Sequence, residues 1–498
     1  MPTPNFPSSR LLALNQKPVK PDGSYVLYWM VSNRRMVYNY SLDRAIAYAV
    51  SLNKPLLVVE PLAKGYRWSS PRFHQFIMQG MKSNMHAAKN VALTYYPFVE
   101  TDEYPQEGML RTFASSACVV ITDDFPCFFI PQFVRKLSQI APCLSEAVDS
   151  NGILPIRGTD RLFTVAHSFR RHCQKVLPDF LSESPLSSPT SNLSLPRLEP
   201  LGDDVISRWP SAEPLLSQSD SQWMTNITTR LDTPSTDLVG GRCAALEHWR
   251  RFKHTRLDNY HLKRSHIDVD ATSCLSPYLH FGHISPHELV RDIQDRGNIR
   301  PEHLRRSIVD GRRERWWQMP PGPEAFLDQL ITWRELGYNR CANDPAYDKF
   351  ATLPEWALAT LNIHRNDERP YIYSMEEFDL SLTHDPLWNA AQNQLRTQGT
   401  IHNYLRMLWG KKILHWSESP ETALSIMIEL NNRYALDGRN PNSYSGIFWC
   451  LGRFDRAWGP ERAVFGKVRY MTSQSTARKY NVSTYLDQFA PEQGNIDA

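Results

Sequence analysis

The chain changes its periodicity once, and that change limits the fold more than any other feature. Up to about residue 181, short apolar runs alternate with helical patterns; from about Leu201 onward the strand signals stop and helical periods run nearly to the end. Alternation of this kind means a parallel sheet with crossover helices, because parallel strands cannot be joined by tight turns. Residues 25–30 (YVLYWM) and 55–60 (PLLVVE) read as buried strands with a helix over 40–52 between them, and 91–95 and 118–122 continue the series. Residues 182–200 (SESPLSSPTSNLSLPRLEP) are rich in Ser and Pro without apolar periodicity, so they read as an interdomain connection. The expected organisation is an α/β domain over 1–181, a linker over 182–200 and an all-α domain over 201–498, with no internal repeat.

Length agrees, since 498 residues exceed one ordinary core. A hydrophobic fraction of 41% and a charged fraction of 22% are those of packed domains and exclude a disordered chain. A net charge of only +4 suits a local basic surface better than a general positive coat. Eight scattered cysteines, with no CxxC and no His/Cys ligand spacing, give no zinc or iron–sulfur signal, so no metal is expected and the thiols read as reduced. The N-terminal MPTPNFPSSR has no apolar signal core, and no run approaches the roughly 20 apolar residues of a membrane span. A cytoplasmic protein without membrane contact is expected. No GxGxxG follows the first strand, which removes the commonest signal for a dinucleotide site there.

Three segments of the helical half combine residue types that chemistry uses. In 271–288 (ATSCLSPYLHFGHISPHE), Thr272, Ser273 and Ser276 cluster before Pro277, and hydroxyls at a helix start serve as caps or as donors to an anion. In 324–347, Phe326, Gln329, Leu330 and Trp333 fall at helical spacing, so one face mixes an amide and an indole with apolar residues. In 383–469, Asp385-Pro386 opens a helix bearing Trp388, and the next helix, about 401–416, aligns His402, Arg406, Trp409, Ile413 and Trp416. Trp409 and Trp416 are then about 10.5 Å apart along the axis. That is too far to stack, and a third ring between them would help an electron hop. Ser419-Pro420-Glu421 starts a further helix whose apolar stripe includes Asn431, an amide that needs a partner because burying it unpaired costs about 1–3 kcal/mol. Each feature also has a purely structural use: an ordinary cap, a core stripe, three core tryptophans, a solvated charge.

Taken in order, the strings LSPYLHFG, LWNAAQ, RMLWGKKILHW and GIFWCLG resemble the photolyase/cryptochrome family, and within it the class II cyclobutane pyrimidine dimer photolyases. The likeness is dense from about 257 to 470 and thin before it, where VDSNGILPI at 148–156 is the clearest match. It implies a Rossmann-like antenna domain followed by an all-α domain that binds FAD. Tyr260, Thr272, Ser273, Leu275, Ser276, Arg406, Asn431 and Asp437 are implied as FAD contacts, with the phosphates near 272–276, Asn431 facing flavin N5 and Arg406 paired with Asp437. Trp409, Trp388 and Trp416 are implied as proximal, intermediate and distal members of an electron relay. Gln329, Trp333, Met407, Trp449, Arg264 and Arg456 are implied as lesion contacts, Trp333 and Trp449 being two aromatic walls for a flipped dimer. Gln329 stands where class II enzymes typically have Glu. Gln keeps a hydrogen-bond donor and loses the proton, and Asp328 points about 100° away. Arg453, Asp455, Arg456 and Trp458 resemble a loop that enters the DNA, and Arg433, Arg439, Arg462, Lys467 and Arg469 are candidate phosphate contacts.

The expected function is light-driven repair of pyrimidine dimers in DNA by an electron from excited reduced FAD. A second antenna chromophore of deazaflavin or folate type is expected by resemblance, without a residue that identifies it. The partner is dimer-containing DNA; no obligate protein partner is implied, a monomer is expected, and in a bacterium the protein would associate with the nucleoid. The alternatives are a flavin-based photoreceptor on the same scaffold without repair, a (6-4) repair enzyme, and an adenine-nucleotide-binding protein with a helical accessory domain.

Overall fold

A computed structural model describes residues 6–298, 300, 304 and 308–491; Met1–Asn5 of the N-terminal stretch discussed above and 492–498 lie outside them. The apolar runs of the first third form six strands: β1 (Leu11–Ala13), β2 (Tyr25–Trp29), β3 (Leu56–Leu62), β4 (Thr94–Val99), β5 (Ala117–Asp123) and β6 (Ser145–Val148). Their order is β1-β6-β5-β2-β3-β4, parallel throughout except for the edge strand β1, which runs antiparallel to β6. Strands β2, β3 and β5 are buried along their whole length, which is why they read as continuous rather than alternating apolar runs; β6 is as buried but half polar.

After the edge strand β1, the chain crosses to the middle of the sheet at β2, builds outward through β3 and β4, then returns to build β5 and β6 on the other side. The order therefore reverses between β2 and β5, and the crevice beyond their carboxyl ends is where such sheets bind ligands. The expected strand over 91–95 is displaced to Thr94–Val99. Pro97 lies inside it, a residue tolerated because β4 is an edge strand. Strands β1 and β6 were too short to show a period and were not expected.

The helix Tyr40–Leu52 lies where its periodicity predicts, with Asn39 accepting from the Ser41 amide at its start and Asn53 left-handed (φ 50°) at its end. Residues 182–200 contain no helix or strand, yet Leu193 and Leu195 pack on the sheet core and the Leu186 amide donates to Asp43 (2.9 Å). From Asp203 onward the structure is helical among the described residues, apart from isolated bridges. No helix is long and apolar enough to cross a membrane, and among the described residues no group of His, Cys, Asp and Glu is arranged to hold a metal.

The two halves are joined by buried polar contacts that centre on the 148–156 string. Glu335, in the helix Arg334–Asn343, accepts from the amides of Ile153 (2.7 Å) and Leu154 (2.9 Å). The approach is so close that a Cβ on Gly152 would lie 2.7 Å from its carboxyl group. Arg10 donates to the carbonyls of Gly152 and Ile153, and Arg35 spans from Ser150 to the Gly282 carbonyl. Burial pushes the Glu335 carboxyl up to about 7.

Candidate active site

Two helices in the second half interlock through three indoles. Asp385 caps the helix Pro386–Gln398 by accepting from the amides of Leu387 and Trp388 (both 3.1 Å), with Pro386 in the first turn. The Trp388 Nε1–H donates to the Trp409 carbonyl (3.0 Å), and the Trp409 Nε1–H returns to Gln392 Oε1 (2.9 Å), one turn beyond Trp388. Trp388 also meets Trp416 edge to face, with centroids 6.1 Å apart. Trp388 thus contacts the helix Asn403–Trp416 at both of its tryptophans, and all three rings are at most 2% exposed. His402 is not on the inward face as its spacing predicted; it caps that helix, its Nδ1 accepting from the Tyr404 amide (3.2 Å).

Beside this cluster Arg406 and Asp437 form a paired clamp, Nη2 to Oδ1 at 3.1 Å and Nη1 to Oδ2 at 3.3 Å. Asp437 lies in a turn just past the helix Pro420–Tyr434. The turn needs Gly438, because a Cβ there would sit 2.8 Å from the Asn431 carbonyl. Asn431 itself is 1% exposed, and its Nδ2 donates to Ser443 Oγ (2.7 Å) on the helix Pro441–Trp449. The Arg406 Nε is buried with no partner in the protein, a donor left over for something else.

The hydroxyls before Pro277 do not cap a helix as expected. The residue before the short helix Ser276–His280 is Leu275, whose side chain belongs to the core; its amide meets Ser273 Oγ (3.4 Å), while Ser276 is exposed. The Thr272 carbonyl accepts from Arg256 (3.1 Å), and Cys274 adopts a left-handed backbone (φ 54°) that folds the turn back on itself. Half-buried Tyr260 packs edge-on against Phe252 and Phe326, and Arg264 follows one turn later, its amide on the Tyr260 carbonyl (3.0 Å). His280 is held 3.0 Å from Asn440, the cap of the Pro441–Trp449 helix. The 272–280 segment and the Asp437 turn are thereby linked.

The segment 321–343 is one helical run whose middle, Asp328–Trp333, widens into a π-turn. An α-helical spacing does not describe it, so the expected stripe of Phe326, Gln329, Leu330 and Trp333 is not a simple face. Ile331 and Thr332 are buried as well. Widened turns of this kind often accompany functional sites. Asp328 is engaged by Arg170 (2.7 and 3.1 Å) and buried, whereas Gln329 is half-buried. Trp333 stacks directly on Trp449, with centroids 5.5 Å apart at 27°. They face each other as expected, but with no room for a base between them. Met407 Cε lies 4.0 Å from where a Cβ on Gly446, three residues before Trp449, would be.

The basic residues divide. Arg456 is exposed, its guanidinium 4.5 Å over Trp458, with Arg469 on the same ring. Arg453 instead is 2% exposed and donates to the Tyr347 carbonyl (2.9 Å), Arg433 pairs with Asp379 and Glu429, and Lys467 with Glu461. Arg439 is buried over the Phe73 ring (3.6 Å). Arg439 and Arg453 are thus buried and Arg433 is engaged by two carboxylates, unlike the exposed Arg456.

Two features lay outside the sequence reading. Lys411 is buried with its ammonium on the Cys450 carbonyl (2.7 Å), and burial lowers it to about 8. A cavity of about 910 Å³ opens beyond β2 and β3, lined by Trp29, Arg34, Tyr66, Phe128, Phe281 and Arg439 among others. Its walls come from seven separate stretches of chain, so no contiguous motif marks it.

No protein-family profile matches the chain. Among curated proteins, one from Methanothermobacter thermautotrophicus named deoxyribodipyrimidine photo-lyase is 33% identical over 487 residues, covering 97% of this chain and 98% of its own. One of the same name from Arabidopsis thaliana is 32% identical over 475 residues, covering 93% and 88%. Among solved structures, a bacterial class III photolyase from Agrobacterium tumefaciens superposes with a TM-score of 0.65 at 16% identity, over 94% of this chain and 86% of that one. That likeness supports the arrangement of a mostly parallel sheet followed by a helical region.

Proposed function

The chain belongs to the deoxyribodipyrimidine photo-lyase family and repairs DNA by light, and from that premise we propose that it is a class II enzyme for cyclobutane pyrimidine dimers that holds FAD between Arg406–Asp437 and the 272–276 turn. The observation that carries this reading is the interlock of Trp409, Trp388 and Trp416 behind the Arg406–Asp437 clamp. The donor set suits a flavin: a buried guanidinium nitrogen without a partner, a buried amide in Asn431, and the hydroxyls of Thr272, Ser273 and Ser276 for phosphate oxygens.

When bound and reduced, FAD supplies the light-absorbing electron donor. The protein's residues orient and tune. Arg406, fixed in place by Asp437, stabilises negative charge on the ring without having to reorganise. Ser443 fixes the Asn431 amide so that its remaining polar atom meets the cofactor edge. Tyr260 and Leu275 close the adenine and phosphate end, and Arg264 and Arg456 meet the DNA backbone. Trp333, Trp449, Met407 and Gln329 receive the flipped dimer, for which the Trp333–Trp449 stack must open. The 910 Å³ cavity at the sheet's switch point is the place for an antenna chromophore of deazaflavin or folate type. A sensor without repair finds no support among the relatives, which carry the photo-lyase name.

The purified protein tests the reading in one assay. FAD released on denaturation at about one per chain, with light-dependent loss of dimers from a damaged oligonucleotide, is the expected result. A protein that purifies with a different cofactor, or that repairs equally in the dark, refutes it.

A further inference from the structure

Lys411 is a buried cation without a counter-ion. It is 3% exposed, and its ammonium donates to the Cys450 carbonyl (2.7 Å). The next residue, Lys412, points about 100° away around the helix and pairs with Asp385 (3.5 Å). Lys411 meets no carboxylate at ion-pair distance among the described residues. Burying an ammonium against a neutral acceptor is costly, and an apolar side chain of the same length would fill the space without that cost. What the charge gains is shown by the carbonyl it meets. The last carbonyls of a helix have no partner within it. At the end of Pro441–Trp449, backbone amides take three of them: Cys450 donates to Ile447 (3.1 Å), Leu451 and Arg453 to Phe448 (both 3.0 Å), and Gly452 to Trp449 (3.0 Å). The Cys450 carbonyl, next in line, is left to Lys411, and a cation there also answers the negative end of the helix dipole. The two helices pack tightly at this point, since a Cβ on Gly410 would sit 2.5 Å from Cys450 Sγ.

We propose that Lys411 is a positioning residue for repair: by gripping the Cys450 carbonyl it fixes the Trp449 wall, and the loop beyond it, relative to the flavin clamp on its own helix. The proposal rests on reading Arg406 as a flavin contact and Met407 and Trp449 as lesion contacts. Arg406 and Met407 lie on the lysine's own helix, Met407 one turn before it. Trp449 immediately precedes the carbonyl that Lys411 holds, and the loop bearing the exposed Arg456 follows it. For a dimer to enter, the Trp333–Trp449 stack must open. With the backbone at 449–450 held, the stack opens by turning its rings, and the helix end does not withdraw. The dimer then meets Trp449 at the separation from the flavin clamp that Lys411 sets.

The grip depends on charge, because an ammonium donates a stronger hydrogen bond than a neutral amine. Desolvation lowers Lys411 to about 8, aided by Arg469 and opposed by Cys450 of the neighbouring helix and Asp455 of the loop. Raising the pH through that value therefore weakens the bond. Burial pushes the Cys450 thiol up to about 11, against the pull of Lys411 and Arg406, so it stays protonated over the same range.

Binding of damaged and undamaged duplexes to the flavin-loaded enzyme, measured between about pH 7 and about pH 9.5, tests this. In the wild type the affinity for damaged DNA should fall about fivefold as the pH rises past that of Lys411, while undamaged DNA shows no such step. Lys411→Arg, which stays charged, should keep the affinity and lose the step. Lys411→Met should keep its flavin and bind damaged DNA at least about fivefold more weakly at neutral pH. A flat wild-type profile, a step that survives in Lys411→Arg, or a Lys411→Met enzyme that binds damaged DNA normally overturns the proposal. So does a Lys411→Met enzyme that loses its flavin, or one that loses affinity equally for both duplexes. Should Lys411→Met not fold, the wild-type profile and Lys411→Arg decide the matter. Trp449→Ala separates the two levels: weakened binding of damaged DNA in it, with none in Lys411→Met, leaves the lesion reading standing and removes Lys411 from it. Unchanged binding in both overturns both.

Discussion

Trp333 and Trp449 stack on each other across the mouth of the proposed lesion pocket, ring centroids 5.5 Å apart and 27° from parallel. The pair contributes roughly 0.5–1.5 kcal/mol beyond its buried area, and a dimer must replace that contact with its own. Each base–aromatic stack is worth about 1–3 kcal/mol. Trp449→Ala should therefore weaken binding of dimer-containing DNA roughly 5- to 150-fold and leave undamaged DNA nearly unaffected. Fluorescence anisotropy with matched damaged and undamaged duplexes checks this; equal losses on both would show that the pair serves general DNA binding instead.

Gln329 lies at the π-turn, half-buried and four residues before Trp333, while its acidic neighbour Asp328 is taken up by Arg170. A protonated Glu at 329 keeps a donor and can also give up its proton. If the position meets the dimer, Gln329→Glu should raise the repair rate roughly fivefold, about 1 kcal/mol from the transferable proton. Quantum yield of repair with the flavin reduced beforehand is the readout, and an unchanged or lower yield places Gln329 away from the lesion.

Acid lability should arise at His283. It is fully buried, its Nδ1 accepts from the Gly241 amide (2.9 Å), and burial, aided by Arg34 and Arg35, lowers it to about 3. An unfolded histidine titrates near 6.5. Between those values the unfolded chain binds the proton and the folded one does not, so stability falls as pH drops below 6.5, by up to about 1.4 kcal/mol per unit, and levels off near 3. From pH 7 to pH 5, His283→Asn should lose about 2 kcal/mol less than the wild type, measured by urea unfolding. Equal losses would locate the lability elsewhere.

How much of this was legible in the sequence depended on how local the signal was. The Tyr40–Leu52 helix, the Asp385 and Ser419 caps and the buried strands β2, β3 and β5 each lie in one short stretch with its own pattern. The 3- and 7-residue spacings between Arg406, Trp409 and Trp416 predicted a shared helix side, but only the fold could show that Trp388 reaches both tryptophans. The π-turn at Asp328–Trp333 was illegible because nothing in DQLITW departs from an α-helical composition. The hydroxyls before Pro277 looked like caps because composition cannot show that Cys274 turns the backbone left-handed there. Buried arginines were misread as surface charge for a related reason: the Phe73 ring under Arg439 is more than 360 residues away.

The central claim is that the indole interlock feeds electrons to a flavin while a separate aromatic pair receives the lesion. Trp388→Phe tests it most directly, with photoreduction of the oxidised enzyme and dimer repair by the chemically reduced enzyme measured on the same preparation. The account predicts photoreduction slowed at least about tenfold, the loss of roughly 1.4 kcal/mol of coupling, and repair unchanged. Photoreduction at the wild-type rate would contradict it.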